Sequence, residues 1–395
     1  MRKPELLAPA GDLEKLKIAI MYGADAVYIG GTNFSLRARS SNFEIADIKE
    51  ACEFANAYGA KIYVTTNILP HNKDLSGLEE YLSDLLRVGV SAVICASPAI
   101  ISVANKVGIE VHLSTQASTT NSSAIHFWEK QNVKRIVTAR ELSLLEIEEV
   151  NKNSNLDIEV FIHGGMCVSY SGRCTLSNHM TDRDANRGGC AHSCRWNYKF
   201  ISDTQIDADT PFSMSSKDLN AIEYITRLMD IGIDSLKIEG RMKSIHYIAT
   251  VVGTYRKLID DYTDNGIVDI DYYKNEIAKA ENRLASIGFY EGDPSIEQHL
   301  YNMRSEKPTQ TFIGLVLDYD SGYAIIEERN KFVLGTVAEV FGPNIHKEFI
   351  IEEILNEDGE PMEVARHPRE ILKLKIPFEV TKNDMIRKVI KWSQL

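Results

Sequence analysis

The sequence predicts an α/β fold: a TIM-type (β/α)8 barrel with a long cysteine-bearing insertion between strands 7 and 8, plus a small C-terminal antiparallel β-barrel domain. Three observations carry this. Eight short apolar runs each end in a small or polar cluster, and a helical pattern follows. The seventh and eighth runs are separated far beyond the usual βα loop, by an insertion over 163–232. Beyond Phe312 the alternation gives way to short strands with turn signals.

The eight runs are Glu5–Ala8, Ala26–Ile29, Lys61–Val64, Ala92–Cys95, Glu110–Leu113, Arg135–Val137, Asp157–Ile162 and Ser235–Ile238. Near-continuous apolar strands between amphipathic helices mark a parallel sheet covered on its faces. Leu13, Leu16 and Ile20 share one helix face, with Asp12 as its cap and Gly23 at its end. Leu78, Tyr81, Leu82 and Leu85 share another, and the stretch Leu142–Val150 is apolar at short intervals. An open doubly wound sheet is the alternative, because barrel closure leaves no trace in a sequence.

The insertion offers strand-like Trp196–Ser202 and Pro211–Met214, then a helix over Asp218–Met229. A helix over Ile245–Tyr262 completes the barrel pattern. A charged helical stretch, Asp271–Ile287, and a polar linker, Glu306–Gln310, follow. The domains are thus 1–305, including the insertion, and 306–395. Strands are expected at Gly314–Asp318, Tyr323–Glu327, Val337–Phe341 and Ile371–Leu374, with turns at 320–322, 342–344 and 358–359.

A barrel builds its active site at the C-terminal ends of its strands. Those ends carry Asn67, Gln116, Arg140, His163, Glu239 and Arg241. Turns need glycine and threonine anyway, but six functional side chains on one rim point to chemistry. Arg37 and Arg39, just past the second strand, join them as candidates.

Cys167, Cys174, Cys190 and Cys194 lie in one short segment with spacing C-x6-C-x15-C-x3-C. Four thiolates suit a tetrahedral zinc ion or a 4Fe–4S cluster. Zinc sites of this type more often use two close pairs, and here only the second pair is close, so the wider first pair fits a cubane better. Arg173, Arg183, Arg187, Arg195 and Lys199 face only Asp182 and Asp184 between His163 and Lys199, a net charge of +3. Positive charge lowers thiol pKa and offsets a thiolate-ligated cluster. Inert core thiols without metal are the bland alternative, and His163 and His192 are nitrogen donors in the same segment.

The chain has 395 residues, 44% hydrophobic and 25% charged, with net charge −12. This is a globular composition, and its acidity argues against bulk, sequence-blind nucleic-acid binding. No apolar run reaches membrane-span length and none follows Met1 as a signal peptide, so the expected compartment is the cytoplasm. There is no G-x-S-x-G elbow, no H-E-x-x-H motif and no Walker A loop.

The run Glu159-Val-Phe-Ile-His-Gly-Gly-Met-Cys167 through Cys174, continued by Asn186-Arg-Gly-Gly-Cys190-Ala-His-Ser-Cys194-Arg-Trp, closely resembles the signature of the collagenase-like peptidase U-32 family. Glu5–Asp12, Ala24–Gly31 and Lys237–Arg241 are similar to that family as well, and the resemblance spans the whole chain. For this architecture it implies tRNA modification: hydroxylation of the wobble uridine to 5-hydroxyuridine with prephenate as hydroxyl donor. It further implies an iron–sulfur cluster on Cys167, Cys174 and Cys190, with Cys194 the natural fourth ligand and Cys52 or Cys95 as substitutes. On this reading His163 and Glu239 are catalytic. Arg37, Asn67, Gln116, Arg140 and Arg241 bind donor or base, tRNA is the partner, and a related partner subunit is compatible. The rivals are a U-32 peptidase and a non-enzymatic RNA-binding protein with structural zinc.

Overall fold

Eight parallel strands form a closed ring in the computed structural model, which describes residues 2–36, 42–199, 211–280, 283–295, 298 and 311–389. They are β1 (Glu5–Pro9), β2 (Ala26–Gly30), β3 (Lys61–Thr66), β4 (Ala92–Cys95), β5 (Glu110–Leu113), β6 (Arg135–Val137) and β7 (Asp157–Gly164). After one insertion strand, β8 (Asp218–Asn220), comes the eighth barrel strand, β9 (Ser235–Ile238). Neighbours pair in order from β1 to β7; β9 then pairs with both β7 and β1, where Ser235 faces Glu159 and Glu5. That double pairing excludes the open sheet.

The strands are largely apolar because both faces are buried. Leu6, Ala8, Val27, Ile29, Val64 and Val93 pack outward in the core shared with the helices. The alternate residues Leu7, Ala26, Tyr28, Tyr63, Ala92 and Ile94 make a separate inner cluster. A polar column fills the rest of the interior. Lys237 Nζ donates to Glu159 Oε1 at 2.7 Å, Arg135 Nη1 donates to Glu159 Oε2 at 3.2 Å, and Arg135 also bonds Glu5. Burial raises the Glu159 carboxyl, but the Lys237 and Arg135 charges outweigh it and hold the group at about 2. Removing one partner of such a buried pair costs about 3–5 kcal/mol.

Asp12 caps the helix Leu13–Met21 by accepting from the Lys15 amide at 2.9 Å, and Gly23 follows it at φ +101°. Two expected helices are corrected. In place of a helix over 218–229, Asp218–Asn220 is extended, with Leu219 and Asn220 pairing antiparallel to Gly164 and His163, and the helix is Ile225–Ile231. Free edge length at the end of β7 recruits those residues over their helical propensity. Among the described residues, the stretch expected over 271–287 is helical as Ile270–Ala278, and Ala285–Ser286 forms a short strand, β10, beside β8. Of the two strands expected in the insertion, Trp196–Ser202 and Pro211–Met214, the described residues show one bridge, Tyr198 to Phe212, and 200–210 lie outside the described residues. The linker 306–310 and the domain boundary lie outside the described residues.

The C-terminal part comprises β11 (Phe312–Asp320), β12 (Tyr323–Glu328), β13 (Phe332–Val333), β14 (Val337–Gly342), β15 (Ile345–Ile350), β16 (Ile354–Leu355), β17 (Pro361–Met362), β18 (Val364–Ala365), β19 (Ile371–Lys375) and β20 (Met385–Lys388). Eight of them make an antiparallel sheet in the order β15-β14-β20-β11-β12-β19-β16-β17, and β13 pairs with β18. Its own core gathers Ile313, Ile326, Val340, Leu372 and Ile386. It docks on the barrel through Arg387, which is buried. Arg387 Nε donates to Glu339 Oε1 at 2.6 Å, Nη2 to Glu276 Oε2 at 3.0 Å and Nη1 to Thr250 Oγ1 at 3.3 Å. Tyr22 of the first barrel helix donates to the Asn383 carbonyl at 2.9 Å. Among the described residues no helix is long and apolar enough to cross a membrane.

Candidate functional site

Parallel strands leave their C-terminal ends on one face, and the insertion is tied down across it. Arg187 makes a two-point ion pair with Asp74 beyond β3, at 2.9 and 2.6 Å, and Leu69 donates to the Asn186 carbonyl at 2.9 Å. Arg173 Nε donates to the Gln116 carbonyl beyond β5, and the Ser171 amide donates to Glu141 beyond β6 at 2.6 Å. Three sides of the mouth therefore hold the cysteine segment in place.

Below it, Arg140 and Glu239 come together. Arg140 Nη1 donates to the Gly165 carbonyl at 2.6 Å, Nη2 stands 3.9 Å from Glu239 Oε2, and the guanidinium lies 3.8 Å from the centre of the Phe161 ring. Tyr28 donates to Glu239 Oε2 at 3.1 Å, and Lys237 lies over the Tyr28 ring at 4.6 Å. The arrangement joins a half-buried carboxylate, a phenol and a guanidinium: a proton-transfer pair beside an anion clamp. Gly164 makes it possible. Its φ is +98°, and a Cβ there would lie 2.0 Å from the Glu239 carbonyl oxygen.

The other predicted residues divide. Asn67 Nδ2 donates to Gln116 Oε1 at 3.3 Å, so these two meet at the rim near Arg173. Arg241 is buried under the rim, with Nη1 3.3 Å from Ser35 Oγ and Nη2 3.3 Å from Asn42 Oδ1. The backbone at Gly30 lies against its guanidinium, so it shapes the mouth from beneath. The His163 ring turns away from the Arg140–Glu239 pair, toward the helix Ile245–Asn265. Its Nδ1 is 3.2 Å from the Tyr255 hydroxyl, and the ring packs on Tyr247 and Tyr255. Burial holds its pKa down to about 4, so the ring is neutral at neutral pH. Arg37 and Arg39 lie outside the described residues.

Cys167 and Cys190 are exposed and Cys174 and Cys194 half-buried, which is not how inert core thiols sit. Asn186 clamps the Cys174 backbone from both sides, donating to its carbonyl at 3.0 Å and accepting from its amide at 3.3 Å. Burial raises the Cys194 thiol, and the charges of Cys167, Cys190 and Cys174 raise it further, so the four sulfurs share one electrostatic neighbourhood. Among the described residues no three His, Cys, Asp or Glu side chains converge as the ligands of a single metal ion. Cys52 and Cys95 are core residues, with thiols pushed up to about 11 and about 12 by burial. Neither is an accessible substitute ligand.

Tyr28, Phe161 and Lys237 join the site from within the strands, not from their ends. The signal for Lys237 is a lone charge within a short buried strand, Ser235–Ile238; Tyr28 and Phe161 read as ordinary core aromatics, and only the fold places Lys237 over both rings.

Residues 11–300 match the model of peptidase family U32, and residues 308–387 match the model of the peptidase family U32 C-terminal domain. The chain is 49% identical to the Bacillus subtilis protein named tRNA hydroxylation protein P1, over 98% of this chain and 95% of that one. It is 32% identical to tRNA hydroxylation protein P of Escherichia coli, over 97% and 96% of the two chains. It is also 32% identical to a Porphyromonas gingivalis protein named Collagenase, over 86% of each.

Proposed function

From the premise that this chain belongs to peptidase family U32, we propose that it is a tRNA hydroxylation protein that converts the wobble uridine to 5-hydroxyuridine, with prephenate as the hydroxyl donor. The observation that carries the reading is the 49% identity, sustained through barrel, insertion and C-terminal domain, to a protein named for tRNA hydroxylation.

Within this reading the chain's residues take defined roles. Arg140, held by Gly165 and Phe161, binds a carboxylate of the donor. Glu239, bonded to Tyr28, takes or returns a proton at the base. Asn67 and Gln116 offer amide groups to the edge of a base that has left its stack, as chemistry on a ring carbon requires. Arg241 shapes the mouth, and His163 fixes the end of β7 against its helix. Cys167, Cys174, Cys190 and Cys194 would hold a 4Fe–4S cluster: two are exposed, and the other three lie close enough to Cys194 to act on its thiol. Such a cluster supplies one-electron chemistry when bound. The site of action is the cytoplasm, where tRNA is modified.

Mass spectrometry of tRNA nucleosides tests this. Deleting the gene should abolish 5-hydroxyuridine-derived nucleosides, and restoring the intact chain, but not Arg140→Ala, should recover them. Unchanged nucleosides in a strain without paralogues would refute the reading. The relative named Collagenase keeps a peptidase in view. Cleavage of gelatin that depends on one residue of this mouth would favour it.

A further inference from the structure

Beside Gly165, whose carbonyl accepts from Arg140, lies a second charged cluster that belongs to no part of the mechanism above. Asp218 of the insertion strand β8 meets Arg283 Nη1 at 3.3 Å and Lys243 Nζ at 3.5 Å. Asp218 and Arg283 are buried, 7% and 9% exposed, and the Lys243 side chain is 22% exposed. Arg195, next to Cys194, reaches the same place. A Cβ built on Gly165 would lie 3.8 Å from Arg195 Nη2 and 3.9 Å from Asp218 Oδ1. Arg195 is half-buried, yet among the described residues its guanidinium makes no hydrogen bond and no ion pair within 4.0 Å.

A guanidinium withdrawn from water without a partner is costly, and cations crowded together add to that cost. Lys243 registers it: burial, and then repulsion from Arg283 and Arg195, depress its ammonium pKa against the pull of Asp218. Such an arrangement becomes favourable when an anion fills it. The position limits which anion. The Asp218–Arg283 pair is buried beside Gly165, which suits a small anion better than a nucleic-acid backbone. The carbonyl of Gly165 carries Arg140 and its α-carbon side faces Arg195, so one residue separates the two guanidinium groups.

We propose that Arg195, Lys243 and Arg283 form a carboxylate-binding subsite, set by Asp218, that holds one end of a small dicarboxylate whose other end lies on Arg140. The inference rests on the dicarboxylate-donor reading above and assigns it residues. Two carboxylate clamps flanking one glycine measure the length of the ligand, which gives selectivity for a dicarboxylate over a monocarboxylate.

The test is titration calorimetry of the full chain, prepared anaerobically, with prephenate as probe, alongside Arg195→Gln, Arg195→Lys and Lys243→Gln. Iron content and tRNA affinity are measured on the same samples. Loss of a charge-assisted hydrogen bond should weaken prephenate binding about 10- to 100-fold in Arg195→Gln and Lys243→Gln. Arg195→Lys should fall between, with iron and tRNA binding unchanged. Lys243 lies outside the cysteine segment, so its variant decides the matter if Arg195→Gln does not fold. Unaltered prephenate affinity with lost iron would overturn the proposal in favour of cations serving the cysteines. Unaltered prephenate affinity with lost tRNA binding would overturn it in favour of a phosphate contact. Wild-type protein that takes up no prephenate would instead refute the donor reading itself, and with it this assignment.

Discussion

Arg140 at the end of β6 donates to the carbonyl of Gly165 at the end of β7, at 2.6 Å. This bond ties the mouth of the barrel to the first residues of the cysteine segment. It also aims the remaining guanidinium edge at Glu239, 3.9 Å away.

Arg140→Lys should therefore be almost as damaging as Arg140→Ala. Lysine keeps the charge but cannot bond Gly165 and a carboxylate in one plane. A loss of roughly 1.5–3 kcal/mol of charge-assisted bonding corresponds to about a 10- to 100-fold fall in 5-hydroxyuridine formed. Nucleoside mass spectrometry of a complemented deletion strain reads it, and full activity in the lysine variant would remove Arg140 from the site.

Cys174→Ala and Cys190→Ala should each lower iron content and bleach the broad absorbance near roughly 400 nm expected of a cubane. Cys95→Ala should leave both unchanged, because that thiol is a core group bonded to Thr66. Chelation under air should bleach the wild type in the same way. A colourless protein holding one zinc would sink the cluster assignment.

Stability should fall as pH drops. Burial holds His163 at about 4 and His246 at about 3, both down from an ordinary 6.5. Below 6.5 the unfolded chain binds protons that the folded one refuses, so the contribution is intact above 6.5 and lost progressively toward 4. His246 stacks on Phe312 at 5.0 Å at the junction of the two domains. His246→Phe should flatten this pH slope in scanning calorimetry between roughly pH 7 and pH 4. An unchanged slope would mean the ring is not the titrating group.

Arg387→Met should loosen the C-terminal domain from the barrel. It leaves the carboxylates of Glu339 and Glu276 without the guanidinium that bridges them, at a cost of about 3–5 kcal/mol. Limited proteolysis should then cut between the domains before it cuts the barrel. Simultaneous loss of both would show that the two cores unfold as one.

Binding of tRNA should depend weakly on salt. The segment 163–199 is net +3 because it carries few acidic residues, while the C-terminal part from Thr311 carries 11 basic against 15 acidic residues. A slope of about −1 to −3 in log K against log salt is expected. A slope beyond about −6 would require phosphate contacts spread over the acidic surface.

By itself the sequence determined the eight barrel strands, the extent of the insertion, the cysteine set and the antiparallel character of the C-terminal part. These rest on apolar runs, turn residues and cysteine spacing, which are local and one-dimensional. It also supplied Asn67, Gln116, Arg140 and Glu239, since the end of a parallel strand marks the mouth wherever that strand lies. Only the tertiary structure decided ring closure, because the pairing of β9 with β1 joins residues more than 200 positions apart, such as Glu5 and Ser235. It alone turned Asp218–Asn220 from helix to strand, set His163 against Tyr255 instead of the mouth, and gathered Arg195, Lys243 and Arg283 around one carboxylate. Burial, edge pairing and charge proximity are properties of the packed chain. Spacing along it specifies which residues are available and leaves their partners to the fold.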